Sequence, residues 1–159
     1  VQVTALAPLT REVLESFCPL AEAQDCRVEA SLDETLSAEV DPGAVRQILL
    51  NLLENAVKYG PPQQIIDVRL RKGAGETVQL IVEDEGDGIP EDKRWEIFAP
   101  YSRLNRDRDS GVAGSGIGLA VVKELAVRQG ASVRVEDSAS GGARFIVAFP
   151  RAPDSPTEE

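Results

Sequence analysis

Residues 45–60, VRQILLNLLENAVKYG, constrain this chain more than any other stretch. Wound as a helix at about 100° per residue, they place Val45, Ile48, Leu49, Leu52, Leu53 and Ala56 on one broad apolar side. Asn51, Asn55 and Lys58 then fall together on an arc of roughly 60° at the border of that side. The two asparagines are helix neighbours at i and i+4, and Lys58 lies three residues beyond the second. Asparagine is a poor residue for a helix interior, so local preference does not account for the pair. The amide oxygens suit a hard cation, and a lysine beside them suits the phosphates that such a cation carries. The polar edge of an ordinary amphipathic helix looks the same, so both readings stay open on this stretch alone.

A length of 159 residues fits one domain, and 42% hydrophobic residues can bury a core. The formal charge is −10, from 17 basic and 27 acidic residues, which argues against nucleic acid or an anionic membrane surface as the main partner. It leaves room for a local basic pocket that takes a phosphate. No apolar run approaches the ~20 residues of a membrane span, and no signal peptide opens the sequence. Cys18 and Cys26 lack metal-ligand spacing, so two free thiols in a reduced cytosol are expected. The chain contains no histidine, which removes Ser–His and Cys–His catalysis.

Along the chain, residues 1–7 suit a short edge strand. Pro8–Ala23 reads as a helix with Leu9, Val13, Leu14, Phe17 and Leu20 on its apolar side, disturbed near its end by Pro19. Strands are expected at Arg27–Leu32 and Leu36–Val40. Asp41-Pro42 is an N-cap followed by proline at the first helical position, and it launches the helix of residues 45–60. Gly60-Pro61-Pro62 stops that helix. Alternation at Ile66, Val68 and Leu70 and again at Val78, Leu80 and Val82, around Gly73-Ala74-Gly75, predicts a hairpin. Continuing that period puts Asp84 on the inner face, where a carboxylate is costly without hydrogen-bond partners.

Asp84-Glu85-Gly86-Asp87-Gly88-Ile89-Pro90 follows, with two glycines that let backbone approach a flat ligand closely. A short helical turn is expected near Asp92–Ile97. Residues 99–116 are irregular and carry Arg103, Arg106 and Arg108; a loop of this length is a functional lid or a solvated segment. Gly114-Ser115-Gly116-Ile117-Gly118-Leu119 then opens a helix to about Gln129, and glycines at a helix start leave N–H groups for phosphate. It does not follow a strand as a dinucleotide fingerprint would, and the P-loop pattern is absent. Strands at Ala131–Glu136 and Ala143–Phe149 close the domain, joined by a Gly141-Gly142 turn. The proline-rich, acidic tail of residues 151–159 suits disorder.

Each motif alone has a bland alternative, but their order and spacing closely resemble the catalytic ATP-binding domain of bacterial sensor histidine kinases. NLLENAVKY stands for the N-box, DEGDGIP for the first glycine box, IFAPYSR for the F-box and GSGIGL for the second glycine box. The resemblance covers about residue 3 to Pro150 and extends to the wider group containing gyrase, MutL and the anti-sigma-factor kinases. It implies that Asn55 binds Mg²⁺, with Asn51 helping to hold metal or phosphate. It implies that Lys58 contacts phosphate, that Tyr59 lies near adenine, and that Asp84 accepts from the adenine amino group. Gly86, Gly88 and Ile89 would shape the adenine site. Gly114, Ser115, Gly116, Ile117, Gly118 and Leu119 would hinge the lid and present N–H groups, and Arg103 would reach the γ-phosphate. Tyr101 and Ser102 depart from the family's aromatic pattern, and Gln129 stands where a histidine is common, with little effect expected.

The fold implied is an α/β (α+β) two-layer sandwich over residues 1–150, with a mixed, mainly antiparallel sheet, helices on one face and a flexible ATP lid. The function implied is donation of the γ-phosphoryl group of Mg-ATP to a histidine. That histidine would lie on a helical dimerisation domain upstream of Val1, which would pass the phosphoryl group to a response regulator. A cytoplasmic domain without nucleic-acid or direct membrane contact is expected; many full-length kinases of the family are anchored in the inner membrane. The alternative is an ATPase or serine kinase of the wider group. Those enzymes place a glutamate four residues before the metal asparagine; here Asn51 stands there, and Glu54 points about 100° away from Asn55.

Overall fold

The computed structural model describes residues 1–99 and 118–152. Helix α1 (Leu6–Ala23) begins two residues ahead of Pro8, which sits in the first turn where its missing N–H costs nothing. It also runs through Pro19, because buried Phe17 and Ala21 hold the last turns against the core. Helix α2 (Pro42–Tyr59) starts as expected, with the Asp41 side chain accepting from the Gly43 N–H at 2.9 Å and Pro42 at the first position. Its buried side is Val45, Ile48, Leu49, Leu52, Leu53 and Ala56, the six residues the periodicity assigns to it.

A five-stranded sheet has the order β2 (Arg27–Leu32), β4 (Ile65–Lys72), β5 (Thr77–Glu83), β7 (Ala143–Pro150), β6 (Ser132–Asp137). The β2–β4 pair is parallel and the other three pairs are antiparallel. A separate antiparallel pair joins β1 (Gln2–Ala5) to β3 (Ser37–Val40). Helices α1, α2 and α3 (Gly118–Arg128) pack on one face, over Ile66, Val68, Leu70, Val78, Leu80, Val82, Phe145, Val147 and Phe149. This is the mixed, mainly antiparallel two-layer sandwich the sequence implied.

The opposite face carries a charged network. Glu83, only 8% exposed, accepts from Arg69 and, at 2.7 Å, from Arg144 Nε. Arg144 also holds Glu136 at 3.0 Å. Ile81 and Ile146 are paired across β5 and β7 on this face yet are fully buried. They stand in register with Arg69 and Arg134, whose long stems can shield apolar surface. Backbone hydrogen bonds also extend past the expected boundary at Pro150. Arg151 N–H donates to the Glu76 carbonyl at 2.8 Å, Ala152 N–H donates to the Ser37 carbonyl at 3.0 Å, and Ala152 is buried. Cys18 is exposed, Cys26 is buried, and both are free thiols.

Candidate functional site

The end of β5 delivers Asp84 to the inner face, where it is 6% exposed. Its Oδ1 accepts two backbone N–H groups, from Gly86 at 2.9 Å and from Ala143 at 3.1 Å. Among the described residues, no hydrogen bond involves Oδ2. Burial pushes the Asp84 carboxyl above its ordinary range; the bonds from Ala143 and Gly86 pull it down, and Glu83 adds to the rise. The site therefore keeps one desolvated acceptor oxygen in place, a group suited to an N–H donor of a ligand.

Glycines surround this carboxylate because nothing larger fits. A Cβ at Gly86 would stand 2.8 Å from the Tyr59 carbonyl oxygen, so the glycine loop lies against the C-terminus of α2. Gly88 has φ +77°, which favours glycine, and a Cβ there would meet the Gly141 carbonyl oxygen at 2.7 Å. Ile89 is half-buried against the core. A shallow groove of about 300 Å³ lies beside this loop, lined by Asp87, Ile89, Pro90, Glu91, Arg94 and Asp137. It includes neither Asp84 nor any residue of α2, so it is not the carboxylate's own site.

On α2, Asn51 and Asn55 are half-buried and Lys58 is exposed in the last turn, where a cation suits the helix dipole. Asn55 makes no side-chain hydrogen bond among the described residues. Asn51 is differently placed. Its Nδ2 donates to the Gly118 carbonyl at 3.2 Å, and its Oδ1 accepts from Gln47 Nε2 at 2.7 Å. The carbonyl of Gly118 requires the NH₂ end, so the orientation of this amide is fixed by its partners. The Asn51 oxygen already accepts one bond, from Gln47, whereas the Asn55 oxygen has no partner among the described residues. Among the described residues no cluster of three or more His, Cys, Asp or Glu could hold an ion. One amide oxygen, with phosphate and water completing the shell, fits Mg²⁺, which favours such sparse protein ligation.

Gly118 opens α3, and Leu119 packs partly against the core. Arg103, Gly114, Ser115, Gly116 and Ile117 lie outside the described residues, as do Tyr101 and Ser102. The structure thus brings Asp84, Gly86, Gly88 and the carboxyl end of α2 together, and ties Asn51 to Gly118.

Several contributors have no sequence signature of their own. Ser138 and Ser140 both donate to the Asp84 carbonyl at 3.3 Å. A Cβ at Gly142 would stand 2.2 Å from that same oxygen, so the β6–β7 turn braces the carboxylate. The Gly141-Gly142 pair is the available signal, and on sequence alone it reads as a turn. Gln129 has two partners: its Oε1 accepts from the Asp41 N–H at 2.7 Å and its Nε2 donates to the Leu125 carbonyl at 3.1 Å. It fastens the end of α3 to the start of α2.

The chain belongs to the histidine kinase-, DNA gyrase B- and HSP90-like ATPase family, whose pattern matches residues 40–153. It is 35% identical over 145 residues to the sensor histidine kinase TmoS of Ectopseudomonas mendocina, covering 91% of this chain and 15% of TmoS. It is 33% identical to the adaptive-response sensory kinase SasA of Synechococcus sp. (strain JA-3-3Ab), covering 92% of this chain and 39% of SasA. The chain therefore spans well under half the length of these relatives. Its fold superposes on full-length ShkA, solved in complex with AMPPNP, with a TM-score of 0.82 and 28% identity, covering 98% of this chain and 32% of ShkA. No described helix is long and apolar enough to cross a membrane.

Proposed function

We propose that this chain is the catalytic domain of a two-component sensor histidine kinase. It binds Mg-ATP and donates the γ-phosphoryl group to a histidine on a helical dimerisation and phosphoacceptor domain, from which a response regulator takes it. The observation that carries this reading is Asp84, whose Oδ1 is doubly anchored to backbone while Oδ2 is left as a buried acceptor. An acceptor there pairs with the exocyclic amino group of adenine; guanine would present a carbonyl oxygen to it. Family membership and the likeness to ShkA, solved in complex with AMPPNP, support the same reading.

Asn55 is the residue that would hold Mg²⁺ together with phosphate oxygens, and the ion would supply charge neutralisation at the transferring group. Lys58, in the last turn of α2, would meet phosphate, and Arg103 is assigned to the γ-phosphate. Gly114, Gly116 and Gly118 are assigned to phosphate contact through backbone N–H. Asn51 orients the start of α3 through Gly118. The chain supplies positioning and electrostatics rather than a general base, since Asn51 stands where an ATPase of the wider group has glutamate.

A calorimetric titration tests this reading. ATP with Mg²⁺ should bind at one site, more tightly than ATP without metal, and GTP should bind far more weakly. Absence of ATP binding, or equal affinity for ATP and GTP, would overturn it.

A further inference from the structure

The turn between α2 and β4 holds a buried amide that the nucleotide contacts leave unused. Gln64 is 1% exposed and follows Gln63, which has φ +65°. Its Nε2 donates to the Ala56 carbonyl of α2 at 2.8 Å. Its Oε1 accepts from the Glu85 backbone N–H at 3.1 Å. Glu85 returns the contact, its Oε1 accepting from the Ile65 N–H at 3.0 Å. The Gln64 carbonyl accepts from the Arg27 N–H at 3.0 Å, which ties the same turn to β2. One side chain thereby joins the helix that carries Asn55 and Lys58 to the residue following Asp84.

The gap it spans is tightly set. A Cβ at Gly60 would stand 2.2 Å from the Gln64 amide, and one at Gly86 would stand 3.4 Å from Gly60 Cα. An amide is suited to this place because it offers a donor and an acceptor together. A thioether of similar length has no donor and only a weak acceptor. A carboxylate keeps the acceptor for Glu85 but sets a negative oxygen against the Ala56 carbonyl.

We infer that Gln64 is a positioning residue for the nucleotide: it fixes the separation between the C-terminal turn of α2 and the first glycine loop, so that the groups facing adenine and those facing phosphate meet one ligand at once. This rests on the ATP-binding reading above. Adenosine engages the glycine loop and, at the end of α2, only Tyr59, whereas ATP also needs Asn55 and Lys58 of α2 in register with the loop. Loss of the clasp therefore weakens ATP more than adenosine.

The test is calorimetry of Gln64→Met and Gln64→Glu with Mg-ATP and with adenosine, alongside thermal unfolding. Gln64→Met should lose about tenfold in ATP affinity, equivalent to ~1.4 kcal/mol, and change by less than about twofold for adenosine. Gln64→Glu should show the same unequal loss, and it carries the test if the Met variant does not fold. Equal losses for both ligands, or a lowered melting temperature with unchanged affinities, would overturn the inference and leave Gln64 as structural support only. A parent protein that fails to bind ATP would instead overturn the proposed function.

Discussion

Replacing Asp84 by asparagine separates the work of its two oxygens. Oδ1 holds the Gly86 and Ala143 N–H groups at 2.9 and 3.1 Å. The amide oxygen of asparagine can keep both bonds; the flipped amide would turn an NH₂ toward two donors. The NH₂ is therefore driven to the Oδ2 position, where a donor replaces the acceptor that adenine needs. Loss of that bond in a buried site costs about 1–3 kcal/mol, or about 5- to 150-fold in ATP affinity. Stability should move the other way. Burial raises the Asp84 pKa, so the fold favours the protonated form. The stability tied to that proton is present in acid and is lost as pH rises through the raised value. Asparagine copies the neutral form, so Asp84→Asn should melt at or above the parent temperature at neutral pH, with the gap closing as pH falls. Calorimetry and thermal unfolding on the same sample check both halves. Equal ATP affinity in the variant removes Asp84 from the site, and a marked loss of stability at neutral pH refutes the assignment of Oδ1 as the structural oxygen.

Two further substitutions probe the same site. Asn55→Ala should erase most of the advantage of Mg-ATP over metal-free ATP while adenosine binding survives, as read by titration with and without Mg²⁺; a full metal effect in the variant would reduce this edge of α2 to a polar border. Gly142→Ala sets a Cβ 2.2 Å from the Asp84 carbonyl oxygen, and because that neighbour is backbone the hairpin itself must shift. It should cost about 1–3 kcal/mol in urea unfolding and weaken ATP binding, whereas a neutral effect would show that the β6–β7 turn does not brace the carboxylate.

The parts of the fold that repeat were legible in the residues. The apolar period of α2, the alternation through β4 and β5, and the turn glycines between them each report a local rule, and the β5 period carried two residues further sets Asp84 inward. The separate β1–β3 pair was not legible, because two short strands do not declare which partner they choose. The contacts made by Gln64, Gln129 and Gly142 are not legible for a related reason. Their effect lies in single bonds or close approaches between distant segments, such as Gln129 to Asp41 and Gly142 to Asp84, and these leave no periodic trace. The pairing of Ile81 with Ile146 hid in the same way: the pattern set Ile81 on the outer face, but only the register shows what stands beside it.

The central claim is that this chain donates a phosphoryl group to a histidine that it does not itself contain. Mixing it with the separately expressed histidine-bearing helical domain and γ-labelled ATP tests that claim most directly. The label should appear on the helical domain only in the mixture. Transfer should be slow, because the high effective concentration of a covalent linkage is absent, and Arg103→Ala should reduce transfer more than it reduces ATP binding. Rapid release of labelled phosphate by the chain alone, with no label on the acceptor, would contradict the account and favour an ATPase.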